Sequence, residues 1–216
     1  MGRVFITDYR EDEQSASLIG GKALHLFRLE RWGQQVPPFA VLSAAAFAKW
    51  RENGDALTDE MVEQVTSHVS VWDAKYFAVR SSMSAEDGAE ASYAGMMDTF
   101  LFVPASDLKA AIQGCFESAN SQRAKMYHEK HSQAKTHESA AVIIQVMVPS
   151  EVSGVAFSRA PVGDSSLVYI EAGLGLGEGV VSGTVEVDRF YLDRWDSVVE
   201  THVGEKRVGE HRALAV

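Results

Sequence analysis

The chain has 216 residues, a formal net charge of −10 and a hydrophobic content of 46%. This length and apolar content suffice for one large domain or two small ones, whereas the acidic balance argues against a general nucleic-acid or anionic-membrane binder, because both need a basic face. A single cysteine excludes an intramolecular disulfide, and no apolar run reaches the length of a membrane span, so we expect a cytoplasmic protein.

The first half of the chain alternates helices with short strands. Gly20-Gly21 opens a helix from Lys22 to about Trp32, and Gly33 stands where a C-terminal glycine cap belongs. Ser43 caps a second helix through about Glu52. The other elements expected in this half are strands at 4–7, 39–42, 76–80 and 98–103 and helices at 58–69 and 108–131.

Beyond residue 139 the chain becomes rich in β-forming residues. Gly- and Ser-rich turns separate short apolar runs at 140–148, 154–158, 166–172, 190–193 and 198–202. A helical first half followed by a β-rich second half predicts an α+β arrangement in two lobes. We place the N-terminal α/β lobe at residues 1–135 and the β-rich second lobe, which is partial, at residues 136–216.

The segment from residue 77 to 101 carries the strongest local signal. An apolar strand delivers Arg80 at its end, and small and hydroxylated residues then lead to Gly95 and a second apolar run. A guanidinium offers a planar fork of donors to phosphate oxygens, and a Gly/Ser/Ala loop lets backbone N–H groups approach them. The other interpretation of Arg80 is a surface ion pair with Glu86 or Asp87.

Lys22 is the second candidate cation. It follows two glycines at the start of a helix, where an ammonium is unfavourable beside the positive end of the helix dipole unless an anion is present. The alternative is a solvated lysine in the first turn of a surface helix, because this string is not a Walker A loop.

Four sequence blocks follow one another in an order that is typical of a known family. They are Gly20-Gly-Lys-Ala-Leu-His-Leu26 with Val36-Pro-Pro-Phe39, then Arg80 to Thr99, then Ile144 to Val155 with Phe157-Ser-Arg159, and finally Ile170 to Glu178 through Asp188-Arg-Phe190. Together they resemble the N-terminal nucleotide-binding domain of the pyruvate phosphate dikinase and phosphoenolpyruvate synthase family, which includes rifampin phosphotransferases. The resemblance spans nearly the whole chain.

The resemblance implies an ATP-grasp-like fold with ATP between two lobes. Lys22 and Arg80 would be the catalytic cations that hold and polarise phosphates. The loop over the phosphates would comprise Ala94, Gly95, Met96, Met97, Asp98 and Thr99, and the nucleoside would be seated by Gln145, Val146, Met147, Val148 and Glu171. The alternatives are a hairpin connection for the loop, a buried strand for 145–148 and a plain loop carboxylate for Glu171.

In such a family member, the β-phosphoryl group of ATP passes to a histidine on a swivelling domain and then to pyruvate or another small acceptor. The family's closing portion, with its Mg²⁺-binding carboxylates, has no counterpart in these residues. We therefore expect the fold to be incomplete at its C-terminal end and the chain to be a fragment, inactive alone. The histidine-carrying and acceptor domains would lie on the same longer chain or on a partner chain.

Two other functions remain open from the residues. One is a non-catalytic nucleotide-binding or interaction module that acts through a partner chain. The other is a structural domain that kept the fold and lost the ligand. Retention of Lys22, Arg80 and Glu171 weighs against the second.

Overall fold

A computed structural model describes residues 3–8, 15–83, 99–121 and 140–205. Within these residues, helices and two antiparallel sheets form a mixed α+β structure, as the sequence predicts. Contacts divide the chain into two compact units, residues 1–147 and residues 148–216.

The first unit contains a five-stranded antiparallel sheet. Its strands follow the spatial order β1-β2-β5-β3-β4. Their bounds are β1 (Phe5–Ile6), β2 (Phe39–Leu42), β3 (Phe77–Met83), β4 (Thr99–Val103) and β5 (Ala140–Val146).

Four helices accompany this sheet in the described residues, namely α1 (Ser15–Arg31), α2 (Ala44–Glu52), α3 (Asp59–Val69) and α4 (Leu108–Ala119). The predicted cap of α2 is confirmed, because Ser43 Oγ accepts a hydrogen bond from the N–H of Ala45 at 3.1 Å. At α3, the Thr58 hydroxyl accepts from the N–H of Met61 at 3.3 Å.

The two faces of the sheet bury different sets of side chains. One face packs on α1, in a cluster made of Ile6, Ile19, Ala23, Leu24, Phe27, Phe39, Val41, Ala141 and Ile143. The other face packs on α2, α3 and α4, where Trp50, Phe47 and Phe116 bring their rings within 5.4 to 5.6 Å of one another. Successive strand residues point to opposite faces, so the register of the strands decides which side chains share the α1 face.

Several boundaries differ from the sequence-based expectation. α1 begins at Ser15 where a start at Lys22 was predicted, and β3 continues to Met83 where an end at Arg80 was predicted. The sequence analysis places the division between lobes at residues 135 and 136, whereas the compact units meet at Met147 and Val148. The reason is β5, which pairs with both β2 and β3 inside the first sheet. In addition, α4 ends at Ala119 with Asn120 as its cap, where one helix to about residue 131 was predicted; residues 122–139 lie outside the described residues.

The second unit is an antiparallel sheet with the strand order β6-β7-β8-β9. Its elements are β6 (Val152–Phe157), β7 (Val168–Leu174), the short helix α5 (Gly177–Ser182), β8 (Asp188–Leu192) and β9 (Val198–His202). These bounds confirm the predicted run of short strands. Tyr169, Val180 and Val185 are among its buried side chains.

Candidate functional site

The start of α1 lies directly against β3. Gly20 interrupts the helix with a φ of 75° and a ψ of 169°. A Cβ at this position would lie 2.5 Å from the carbonyl carbon of Ser82, so only glycine permits the contact. After this break, the N–H of Ala23 donates to Ser82 Oγ at 3.2 Å. The contact holds the Gly20-Gly21-Lys22 segment on the end of β3.

Lys22 reaches the same strand through its side chain. Its Nζ donates to the main-chain oxygen of Ser81 at 3.2 Å, and the contact is partly buried. Ser81 follows Arg80 directly in β3. The ammonium of Lys22 is therefore held at the strand residues next to the second predicted cation.

Arg80 lies on the sheet face that α1 covers. Residues directly opposite each other in neighbouring strands share a face, and Arg80 pairs with Ile143 of β5, which belongs to the cluster beneath α1. Its side chain is partly exposed. Among the described residues, no carboxylate forms an ion pair with Arg80; Glu86 and Asp87 lie outside them.

Thr99 is the cross-strand neighbour of Arg80. The two residues are direct partners in the β3–β4 register, and Thr99 is exposed at the start of β4. Arg80 is the middle residue of β3, although the sequence predicts it as the last one; Lys22 contacts the strand residue that follows it, and Thr99 is its cross-strand partner. The other predicted residues of this loop, Ala94, Gly95, Met96, Met97 and Asp98, lie outside the described residues.

The predicted nucleoside segment begins inside β5 and continues past its end. Gln145 is buried on the Arg80 face, and its Nε2 donates to the oxygen of Pro37 at 3.2 Å. The N–H groups of Val146 and Met147 donate to the oxygens of Pro38 and Tyr76 at 2.9 and 3.0 Å.

Val148 follows this segment outside the strand. Its side chain is exposed, and its carbonyl oxygen accepts from the N–H of Ser150 at 2.9 Å. The two parts of 145–148 therefore differ in their backbone hydrogen bonds. The N–H groups of Val146 and Met147 are bonded within the first unit, whereas Val148 follows the strand and is exposed.

Glu171 lies in β7 of the second unit as part of a hydrogen-bonded group. Its Oε1 accepts from the Tyr169 hydroxyl at 2.6 Å and from Arg189 Nε at 3.2 Å. Burial, followed by the bond to Glu171, raises the pKa of Tyr169 above its ordinary value. The hydrogen bond from Arg189 also raises the pKa of that guanidinium. This carboxylate is therefore oriented by two donors rather than isolated in a loop.

Tyr169 and Arg189 were not predicted from the sequence as site residues. The signal was present as a period of two, because Tyr169 and Glu171 alternate with apolar residues in β7, and Arg189 and Tyr191 do the same in β8. Glu171 and Arg189 are direct partners in the β7–β8 register, which the sequence alone does not specify.

Clusters of metal ligands and membrane-spanning helices are both absent from the described residues. Among residues 3–8, 15–83, 99–121 and 140–205, no three His, Cys, Asp or Glu side chains gather as metal ligands. In the same part of the chain, no helix has the length and apolar character needed to cross a membrane.

Comparison with known proteins points to one family. The family model described as pyruvate phosphate dikinase, AMP/ATP-binding domain, matches residues 55–213. This match includes Arg80, 145–148 and Glu171, and it begins after Lys22.

Three relatives illustrate the similarity. The chain is 30% identical to the uncharacterized phosphotransferase YvkC of Bacillus subtilis, over 93% of this chain and 26% of that protein. It is also 30% identical to a probable phosphoenolpyruvate synthase of Methanothermobacter thermautotrophicus, over 91% of this chain and 35% of that protein. A rifampicin phosphotransferase of Bacillus subtilis is 27% identical over 91% of this chain and 27% of its own length. The chain thus spans between a quarter and just over a third of these curated relatives.

Proposed function

Because this chain belongs to the family of pyruvate phosphate dikinase AMP/ATP-binding domains, we propose that it is the ATP-binding part of a dikinase-type phosphotransferase. In this proposal the two compact units correspond to the lobes of an ATP-grasp-like domain. The β-phosphoryl group of ATP passes to a histidine on a swivelling domain and then to pyruvate or another small acceptor. Both further domains belong to a longer chain or to a partner.

One observation supports the proposal most directly. The ammonium of Lys22 lies 3.2 Å from the oxygen of Ser81, which is adjacent to Arg80, and the helix of Lys22 covers the sheet face that carries Arg80. Two cations held at neighbouring residues of β3 repel each other, and the helical turn that follows Gly20 adds further positive potential. A polyphosphate would convert this repulsion into binding energy.

Thr99 and the 94–98 segment complete the proposed phosphate site. Thr99 faces Arg80 across the β3–β4 pair and offers a hydroxyl donor. We propose that Ala94, Gly95, Met96, Met97 and Asp98 continue from it as the loop over the phosphates.

Only part of the segment 145–148 has backbone groups that could contact a nucleoside. The N–H groups of Val146 and Met147 already donate to Pro38 and Tyr76. We therefore propose that the edge of the adenine ring forms hydrogen bonds with backbone groups that follow the Met147 N–H, toward Val148. In the second unit, we propose that Glu171 accepts hydrogen bonds from ribose hydroxyls, since Tyr169 and Arg189 orient its carboxylate through Oε1.

In this proposal the chain contributes nucleotide binding, and the ligands of Mg²⁺ are expected in the family's closing portion. Phosphoryl transfer generally uses Mg²⁺ to bridge phosphates and neutralise charge. The relatives named above are phosphotransferases and a synthase. Their names favour a function as part of an enzyme over a function as a non-catalytic module.

Calorimetric titration of the 216-residue chain with ATP tests this function. We expect saturable binding that Lys22→Gln and Arg80→Gln each weaken by roughly tenfold or more, since each variant removes charge-assisted bonds to phosphate. Lys109→Gln and Arg194→Gln are matched controls, because both residues are exposed and neither belongs to the proposed phosphate site. No ATP binding, or equal binding by all four variants, would contradict the proposal.

A further inference from the structure

The second sheet carries a row of aromatic rings across one face. Phe157, Tyr169 and Tyr191 are direct partners across β6, β7 and β8, with ring centroids 6.0 and 5.0 Å apart. His202 of β9 continues the row at 6.1 Å from Tyr191, edge-to-face. Cross-strand aromatic pairs stabilise sheets, so the row alone requires no ligand.

The face becomes concave at one part of this row. A depression of about 300 Å³ is lined by Pro161, Val162, Tyr169, Arg189, Tyr191 and His202. Its volume is at the lower end of the range for small-molecule sites. The β6–β7 loop supplies one apolar side of the lining, and the strands supply the rings and a guanidinium. None of these six lining residues carries a carboxylate, although Glu171 contacts Tyr169 and Arg189, and Glu200 contacts His202 at 2.7 Å.

Arg189 is held in place at this depression. Its Nε donates to Glu171 Oε1 at 3.2 Å, and the same oxygen accepts from the Tyr169 hydroxyl. Half of the Arg189 side chain is nevertheless exposed, at 50%. A guanidinium offers five N–H donors, so those on its outer side remain available to an acceptor on a ligand. Fixing this side chain in advance lowers the entropy cost of binding.

We propose that this depression binds a small aromatic carboxylate. The ligand ring packs against Tyr191 and the Pro161–Val162 side, and the carboxylate accepts charge-assisted hydrogen bonds from Arg189. This binding needs neither Lys22 nor Arg80, and it shares Tyr169 and Arg189 with the hydrogen-bonded group of Glu171, the proposed ribose carboxylate.

A ligand in the depression should reduce the local opening of the edge strand β9. The lining includes His202 of β9, and every residue of β9 is exposed. A bound ligand would connect this edge strand to β8 and to the β6–β7 loop. Binding should therefore slow amide hydrogen exchange in residues 198–202, because it lowers the frequency of local opening.

Benzoate is the probe for this site. Titration of the full chain by NMR, with hydrogen exchange of β9 as a second measurement, should show saturable binding of benzoate. Cyclohexanecarboxylate, which lacks the planar ring, and benzamide, which lacks the charge, should each bind more weakly. Acetate should bind least.

Variants then test the two recognition elements. Arg189→Gln should weaken benzoate binding by roughly tenfold, since it removes a charge-assisted bond, and Arg189→Lys should weaken it less. Tyr191→Leu removes the ring while keeping an apolar side chain. Arg194→Gln and Trp195→Leu, in the exposed β8–β9 turn, are the matched controls. The thermal unfolding of each variant identifies any that fail to fold, and Arg189→Lys provides the test if Arg189→Gln does.

Three results would overturn the proposal. Benzoate affinity unchanged in both Arg189 variants would exclude the guanidinium as the recognition group. Acetate binding as tightly as benzoate would exclude the rings. Displacement of benzoate by an equal concentration of AMP would assign the depression to nucleotide instead.

Discussion

The Nζ of Lys22 donates a hydrogen bond to the main-chain oxygen of Ser81 over 3.2 Å, between residues that lie 59 positions apart in the sequence. The contact brings an ammonium to the residue that follows Arg80 in β3. Gly20 makes it possible, because a larger residue there would collide with the backbone of Ser82. Packing of glycine on a strand thus determines where a charged side chain is presented.

Lys22→Gln should separate ligand binding from folding. Loss of one partly buried hydrogen bond should change the free energy of unfolding by only about 1 kcal/mol. ATP should raise the Tm of the original chain by mass action and raise that of the variant much less. Thermal unfolding with and without ATP measures both effects, with Lys109→Gln as the control. An equal ATP-induced rise in Tm for the original chain and Lys22→Gln would disprove the role of Lys22.

Gly20→Ala should destabilise the first unit strongly. Its φ is +75°, and a Cβ would lie 2.4 to 2.6 Å from atoms of Ser82. We expect a loss of about 2–4 kcal/mol, from backbone strain and overpacking together. Gly33 is the matched control, because it has the same φ of +75° and nothing within 4 Å of a Cβ. Gly33→Ala should cost only about 1 kcal/mol in urea unfolding. Equal losses would show that the contact with Ser82 is not the cause.

The adjacent serines Ser81 and Ser82 should respond in opposite ways to alanine. Ser82 Oγ accepts from the buried N–H of Ala23, so Ser82→Ala should cost about 1–3 kcal/mol by leaving that donor unpaired. Ser81 Oγ is buried without a hydrogen-bond partner among the described residues. Ser81→Ala should therefore be neutral or stabilising. Urea denaturation midpoints compare the two variants, and a larger loss for Ser81→Ala would contradict this account.

Tyr169→Phe should change how stability depends on alkaline pH. The pKa of Tyr169 is raised above 10.0 by burial and by Glu171. The folded state therefore keeps this proton at a pH where the unfolded chain loses it, so the stabilisation is present below the unfolded pKa and is lost as pH rises through the folded one.

At pH 8, Tyr169→Phe should be less stable by about 1 kcal/mol, because it lacks the bond to Glu171. The difference in unfolding free energy should shrink as the pH rises above about 10, since position 169 titrates only in the original chain. Urea unfolding at several alkaline pH values checks this. A difference that stays constant throughout would mean that Tyr169 does not titrate differently in the folded state.

Local patterns predicted most elements of the fold. The cap at Ser43 and the short strands of the second unit could be predicted because they depend on neighbouring residues. The sheet to which β5 belongs cannot be predicted from local patterns. Residues 140–146 follow a long polar stretch and precede other strands, so composition groups them with the second unit, whereas pairing places them in the first sheet. Pairing partners distant in sequence are set by tertiary packing.

The candidate site shows the same division between local and long-range information. A lysine after Gly20-Gly21 and an arginine in an apolar strand are visible in the sequence, as is the alternation around Glu171, but the continuation of β3 past Arg80 to Met83 was not predicted. The face that Arg80 shares with α1 follows only from the register with Ile143. The bonds of Tyr169 and Arg189 to Glu171 likewise depend on strand pairing.

The central position of β5 also bears on how the protein is made. β2 and β3 are not neighbours, and each pairs with β5 instead. A nascent chain that has emerged only through residue 121 would therefore hold its earlier strands as two separate pairs with unsatisfied inner edges. Such edges are prone to aberrant association, and distant pairings form slowly. During synthesis these edges therefore stay exposed until Val146 has left the ribosome. A chaperone that binds exposed strand edges would act in this interval.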